Sequence, residues 1–267
     1  MVICIKRLSF AGFAVTLATT AMAADLPAPV IEHIPQVPVA AAGGWYLRGD
    51  IGYKLYNDPK GGFVDSSTVG DLRYERESID DTWMIGVGVG YQFNDYFRSD
   101  LTLDYEAKAT ARGYAVCGTC STNFSEERTD LDIWTVMLNG YVDLGTWYNL
   151  TPYVGAGVGA SYIRASNTIS INPGSTAATY DKDNGEFNFA WALMAGASYA
   201  VNQNLSIDAG YQYRDLGKAR TTAYTATGNG RSEFKDITAH EIRLGMRYTF
   251  DSAAPAYYAP EPIMSNF

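Results

Sequence analysis

The chain has 267 residues, with 26 glycines, 20 tyrosines, only 18% charged residues and a formal net charge of −9. Its length allows one large all-β domain or two small ones. The acid excess disfavours nucleic acid as a partner, because phosphates need cations. After the N-terminus no run reaches the ~18 apolar residues of a membrane-spanning helix.

The N-terminus reads as an export signal. Lys6 and Arg7 precede an apolar run from Leu8 to Ala18, and Ala21-Met22-Ala23 supplies the small-x-small cleavage pattern. Residues 1–23 are therefore expected to be a signal peptide containing Cys4. Its only charged residues are Lys6 and Arg7, so removal takes the formal charge from −9 to −11. Residues 24–43, with Pro27, Pro29, Pro35 and Pro38, read as a Pro/Ala-rich periplasmic linker, in which His33 is solvated.

Eight stretches then alternate with a period of two, the signature of a strand with two unlike faces. Trp45–Tyr56 sets Trp45, Leu47, Ile51, Tyr53 and Leu55 against Arg48, Asp50 and Lys54. Thr82–Phe93 sets Trp83, Ile85, Val87, Val89 and Tyr91 against Gly86, Gly88 and Gly90. Tyr96–Lys108 opposes Phe97, Leu101, Leu103 and Tyr105 to Arg98, Asp100, Asp104, Glu106 and Lys108. Leu131–Asp143 carries Trp134, Val136, Leu138 and Val142 against Asn139 and Asp143, but is apolar on both faces at its Leu131 end. Pro152–Tyr162, Phe187–Tyr199 and Leu205–Leu216 follow, the last opposing Leu205, Ile207 and Tyr211 to Asp208 and Arg214. Thr238–Phe250 closes the series, with His240, Ile242, Leu244, Met246, Tyr248 and Phe250 on one face and Glu241, Arg243 and Arg247 on the other. At about twice the usual soluble length, these stretches suit tilted strands crossing a bilayer.

The connections alternate too. Asn94-Asp95, Leu144–Thr151 and Ala200–Asn204 are short; Tyr56–Asp81, Ala109–Asp130, Ile163–Glu186 and Gly217–Lys235 are long and polar. Short turns on one rim and long loops on the other match outer-membrane barrels, with both termini on the periplasmic side. The expected fold is all-β: an eight-stranded antiparallel up-and-down transmembrane β-barrel over residues 44–250. A soluble lipocalin-like barrel also needs eight alternating strands. It does not need the aromatics gathered at the short-turn rim: Tyr91, Phe93, Phe97, Trp147, Tyr148, Tyr199, Tyr248 and Phe250.

The mature start ADLP, the first stretch GWYLRGDIGY, NGYVDLG followed by TPYVGAGVG, and HEIRLGMRYTF carry a family resemblance. The chain resembles the small eight-stranded outer-membrane β-barrels of the OmpA-like and opacity-porin kind, closest to the alpha-proteobacterial porin-family surface antigens. The resemblance implies residence in a Gram-negative outer membrane and a role in envelope structure or surface contact. It also implies that Leu244, Met246, Tyr248 and Phe250 form the terminal assembly signal read by the barrel-assembly machinery. One departure is the Pro-containing periplasmic tail 251–267 after that signal, which has no alternation and cannot be a ninth strand.

The inward face carries the candidate site. Seven acids (Asp50, Asp100, Asp104, Glu106, Asp143, Asp208, Glu241) meet seven bases (Arg48, Lys54, Arg98, Lys108, Arg214, Arg243, Arg247). An eight-stranded bore has room only for its side chains, so these charges are expected to pair as a polar plug; a narrow ion path, and hence a small diffusion pore, is the other reading. Cys117 and Cys120, the only cysteines left after export, are expected to form a small-loop disulfide. Their loop lacks the four ligands of a zinc site and the βαβ setting of a redox motif. His240 suggests a lipid-modifying enzyme, but Glu241 points to the opposite face and cannot orient the imidazole. No catalytic residue, metal site or cofactor is implied. Expected partners are outer-membrane lipid, including lipopolysaccharide, and host or cell-surface ligands at the loops.

Overall fold

A computed structural model of the chain describes residues 43–64, 71–116, 124–171, 178–180, 182–223 and 230–250. The expected signal peptide, the linker up to residue 42, the Cys117–Cys120 disulfide and the tail 251–267 lie outside the described residues. The described residues form twelve strands: β1 (Gly44–Tyr56), β2 (Lys60–Val64), β3 (Leu72–Arg73), β4 (Arg76–Ile79), β5 (Thr82–Gln92), β6 (Phe97–Val116), β7 (Phe124–Asp143), β8 (Leu150–Ile171), β9 (Ala178–Thr179), β10 (Asn184–Ala200), β11 (Leu205–Arg220) and β12 (Arg231–Thr249). Eight of them, in the order β1-β5-β6-β7-β8-β10-β11-β12, form an antiparallel ring. β12 closes it on β1, in register from Tyr46↔Thr249 to Tyr56↔Ala239. The ring therefore has no free edge, which a strand assembly in hydrocarbon requires.

Around the lower part of the ring the outward residues are apolar and exposed, among them Ile51, Ile85, Val87, Leu103, Val136, Leu138, Leu193 and Leu244. Two aromatic belts bound this band. The lower belt includes Trp45 packed edge-on to Tyr91 at 5.3 Å and Tyr248 on Phe250 at 5.5 Å. The upper belt consists of cross-strand pairs: Tyr53–Trp83 at 4.9 Å, Tyr105–Trp134 at 4.7 Å, Tyr162–Phe187 at 4.7 Å and Trp191–Tyr213 at 5.7 Å. The span from Trp83 to Tyr91 along a tilted strand rises roughly 20 Å, close to the height of an outer-membrane apolar band.

Four of the strands run far past the upper belt, where long polar loops were expected. β6 continues to Val116, β7 starts at Phe124, β8 continues to Ile171 and β12 starts at Arg231. The missing wall above β1 and β5 is rebuilt by the first connection: β2 pairs with β12 and β4 with β6. Tyr74 N donates to Gly61 O at 3.1 Å and Glu75 N to Tyr114 O at 2.8 Å, so the segment between them bridges both sides. Between β10 and β11, backbone pairing stops at Trp191↔Asp215. Side-chain amides replace it: Asn188 Nδ2 donates to Lys218 O at 2.9 Å and Asn184 Nδ2 to Arg220 O at 3.0 Å. Gly217, at φ +89°, lies so close to Asn188 that a Cβ would stand 2.6 Å from the Asn188 Cβ, so only glycine fits there.

This upper part, the crown, reverses the rule of the band. Its inner face carries an apolar core: Ile79, Ala109, Ala111, Leu131, Ile133, Ile163, Ala165, Leu216, Phe234 and Ile237 are buried together, joined by Tyr74 from the first connection, with polar residues such as Thr129, Thr168 and Ser232 buried above them. Its outward residues include Arg112, Arg128, Asp130, Asp132 and Arg164. An apolar outer face suits hydrocarbon and a charged one suits water, so the apolar face changes sides where the band gives way to the crown.

Leu103→Arg places a cation on the outward face within the band and should cost about 2–4 kcal/mol in an unfolding experiment in lipid. Val116→Arg, outward on the same strand but in the crown, should change stability by no more than ~0.5 kcal/mol. Equal costs would show that the band does not end at the upper belt.

Candidate functional site

Within the band the ring's inner face is lined with charge. β5 offers glycines there, and the space is taken by its neighbours: a Cβ on Gly86 would meet Asp104 Oδ1 at 2.3 Å, and one on Gly90 would meet the Tyr46 ring at 2.3 Å. Small residues on one strand thus make room for long polar side chains on the next.

Thirteen of the fourteen residues read as inward are buried inside the ring: Arg48, Asp50, Lys54, Arg98, Asp100, Asp104, Glu106, Asp143, Asp208, Arg214, Glu241, Arg243 and Arg247. Lys108 is a correction. The β6–β7 register shifts between Glu106 and Ala109, and this bulge turns Lys108 outward, where its side chain is 55% exposed and lies 3.9 Å from Asp132. Seven acids therefore meet six bases.

Arg243 stands at the centre of these charges. Its guanidinium reaches Asp104 at 2.7 Å, Glu241 at 2.5 Å and Asp50 at 3.8 Å. Asp104 also takes Arg214 at 2.7 Å, and Glu241 takes Lys54 at 3.4 Å. Lys54 and the Tyr56 hydroxyl converge on Glu106. Toward the short-turn rim Arg48 binds Asp50 at 2.6 Å and Asp100 at 2.9 Å, while Asn139 Nδ2 and the Tyr46 hydroxyl also donate to Asp100. At that rim Arg98 binds Asp143 at 3.1 Å and is held between the rings of Tyr141 and Tyr153, at 4.2 and 4.6 Å. Arg247 lies 3.7 Å from Asp208 and donates to Ser198 at 2.8 Å. The void left among Arg48, Asn139, Tyr141, Tyr153, Met194 and Arg243 is ≈ 10 Å³, room for a single water at most.

His240 sits on the outward face at the upper belt. Its Nδ1 lies 2.5 Å from the Tyr211 hydroxyl and its ring packs edge-on to Tyr213 at 5.3 Å. Glu241 is inside, bound to Arg243. The two therefore belong to different environments, and the partners around His240 are phenols rather than a nucleophile and an orienting acid. Leu244, Met246, Tyr248 and Phe250 all face outward on β12 or just past it. Among the described residues no cluster of three or more His, Cys, Asp or Glu side chains could hold a metal ion.

Two buried acids escaped the sequence reading, Glu127 and Glu233. Glu127, placed in a loop by that reading, lies on β7 above the upper belt with its side chain turned into the crown, 3% exposed. The inward alternation Glu127, Thr129, Leu131, Ile133 was the signal that could have found it.

The sequence signature of the outer membrane protein beta-barrel domain matches residues 11–250. An uncharacterized protein of Brucella abortus (strain 2308) is 35% identical over 279 residues, covering 88% of this chain and 95% of that protein. A protein of Rickettsia bellii (strain RML369-C) named as a candidate adhesin is 30% identical over 209 residues, covering 76% of this chain and 87% of its own. Among solved structures, the outer membrane protein OprG from Pseudomonas aeruginosa superimposes with a TM-score of 0.55 at 15% identity, covering 79% of this chain and 97% of that one, a likeness of fold.

Arg243→Ser removes the partner shared by Asp104, Glu241 and Asp50 and should cost about 3–5 kcal/mol of unfolding free energy in lipid, the usual penalty for stranding buried charge. Lys108→Ser, outside the ring, should stay within ~0.5 kcal/mol. A loss near zero at Arg243 would mean that the pairs do not support the barrel.

Proposed function

The chain belongs to the outer membrane protein β-barrel family and resides in the outer membrane, and on that premise we propose that it is a non-enzymatic, non-conducting surface-contact protein. The observation that carries this reading is a bore filled twice by different chemistry. Paired charges occupy the ring within the band, and an apolar core occupies the crown. A diffusion pore needs a continuous water path, and an apolar core above a salt-bridged lumen weighs against one. A lipid-modifying enzyme needs a nucleophile beside its base on the lipid face, and His240 has phenolic neighbours instead.

In this reading the crown is the extracellular working part. Outward residues of β4, β6 and β7, including Arg76 stacked over Tyr114 at 4.6 Å and Arg112 paired with Asp80, form a patterned surface on a rigid support. Binding residues on a rigid scaffold suit contact with another cell's surface, and the adhesin name of the Rickettsia relative is consistent with that role. Lipopolysaccharide and other outer-membrane lipid surround the apolar band. The outward row Leu244, Met246, Tyr248 and Phe250 serves the barrel-assembly machinery.

The reading is tested by producing the chain in a non-adherent Gram-negative host and counting attached epithelial cells. Attachment should rise several-fold over the empty host and return to background when residues 112–128 are replaced by a short turn. Attachment equal to the empty host would remove the contact role. In planar bilayers the refolded protein should show no steady conductance; a stable open level would promote the pore instead. Tyr248→Ala with Phe250→Ala should lower the outer-membrane level of the protein, whereas deleting residues 251–267 should do much less.

A further inference from the structure

Glu127 occupies an unusual place in the crown. Every other deeply buried acid inside the ring has a cation in reach, but Glu127 forms no salt bridge among the described residues, and its Oε2 has no hydrogen-bond partner. The inter-strand segments outside the described residues, 65–70, 117–123, 172–177, 181 and 224–229, contain no Lys, Arg or His that could supply one. What surrounds the carboxylate is hydroxyl. Ser170, Tyr180, Ser232 and Ser125 act on it as donors. Thr129 and Thr168 lie 2.8 Å apart on the neighbouring inward positions of β7 and β8.

These hydroxyls flank three of the crown's four connections. Ser125 and Glu127 flank the second, Ser170 and Tyr180 flank or follow the third, and Ser232 follows the fourth. The first enters through Tyr74, whose hydroxyl donates to Ser232 Oγ at 2.8 Å. The Tyr74 ring fills the space over Gly113, the residue opposite Glu127 on β6. Ser232 N donates in turn to Thr221 Oγ1 at 2.9 Å, tying in the end of β11. One carboxyl group thus lies among described residues that flank three connections, with Tyr74 of the first joined through Ser232.

The remaining charged groups around it are otherwise engaged. On β7, Arg128 is turned outward and bound to Glu126 at 2.8 Å. On β12, Glu233 is bound to Arg220 at 2.7 Å and Lys235 at 3.1 Å. On β4, Glu77 accepts from Gly61 N at 3.0 Å. On β6, Arg112 is paired with Asp80. From its own surroundings Glu127 therefore faces Tyr74 and Tyr180 as titratable neighbours, and neither is a cation.

We propose that Glu127 is a proton-operated latch of the crown: neutral, it stays buried among the hydroxyls of β7, β8, β12 and Tyr180; ionised, its lost hydration outweighs what those hydroxyls return, and the packing of these segments on one another loosens. Burial pushes its carboxyl up to about 7 from the ordinary 4.5, the hydroxyl donors only partly opposing the rise. A raised folded-state value means that the stabilisation is fully present below the ordinary carboxyl range and is lost as the pH climbs through about 7. The crown is tight in acid and looser in mild alkali, while the ring within the band is unaffected.

Hydrogen exchange of the full chain refolded in bilayer discs tests this, with rates corrected for the intrinsic pH dependence of amide exchange. Between pH 5.5 and 8.5, protection of the amides around Tyr74, Tyr180 and Ser232 should fall roughly tenfold or more, while that of band amides stays level. Glu127→Gln, neutral at every pH, should keep the acid-like protection throughout. Ser170→Ala, which removes one donor to the carboxylate, should move the midpoint of the change to higher pH and serves alone if Glu127→Gln does not fold. Wild-type protection independent of pH, Glu127→Gln following the wild type, or a midpoint unmoved in Ser170→Ala would each overturn the latch.

Discussion

Everything in this barrel depends on the pairing of β12 with β1. In hydrocarbon an unpaired backbone amide or carbonyl has nothing to bond, so a sheet that stopped at either strand would not be stable there. The eleven paired positions from Tyr46↔Thr249 to Tyr56↔Ala239 remove that edge. Closure at eight strands then fixes the width, and the width makes the interior a packing problem rather than a channel. The glycines of β5 beside Asp104 and Tyr46 are the visible consequence.

The charge pairs follow from the same closure. If both faces of a strand were apolar, a one-residue slip would cost little, since either face could meet lipid. Charges on alternate residues make the slip costly, because each would move from the lumen to the bilayer. Arg243 enforces this across strands: its partners Asp50, Asp104 and Glu241 come from β1, β6 and its own β12. A slip of β12 against β1 breaks the set. The network is therefore better understood as a register device than as a source of net stability, since buried ion pairs gain little over well-packed apolar residues.

What the sequence revealed, and what it hid, follows from the reversal at the upper belt. Below it, apolar means outward, and alternation alone located eight strands and thirteen of the lumen charges. Above it, apolar means inward. On β7 the change falls between Ile133, buried, and Trp134, exposed, with no bulge to mark it. Two adjacent apolar residues of opposite facing look like lost periodicity, so Leu131–Ile133 read as an ambiguous end and the strand beyond it as a loop. The same reversal separates Tyr162 from Ile163 on β8. Lys108 was misplaced for a different reason: a bulge adds one residue to one strand, and nothing in Ala107-Lys108 announces it. Glu127 was missed because a carboxylate in a Ser- and Thr-rich stretch reads as a solvated loop until the strands around it are known to close.

The two interiors also differ in how they handle an acid. Within the band a carboxylate can be neutralised only by a cation, because lipid outside and packed side chains above leave little water to exchange with. Each acid there is accordingly placed against an arginine or lysine, and Arg243 serves three. The crown stands in water, and a proton can reach its interior whenever the connections open. A lone carboxylate is tolerable under that condition, provided donors surround it, as Ser125, Ser170, Tyr180 and Ser232 surround Glu127. The solvent beyond the wall thus decides both which residues a strand turns inward and whether a buried acid must be paired.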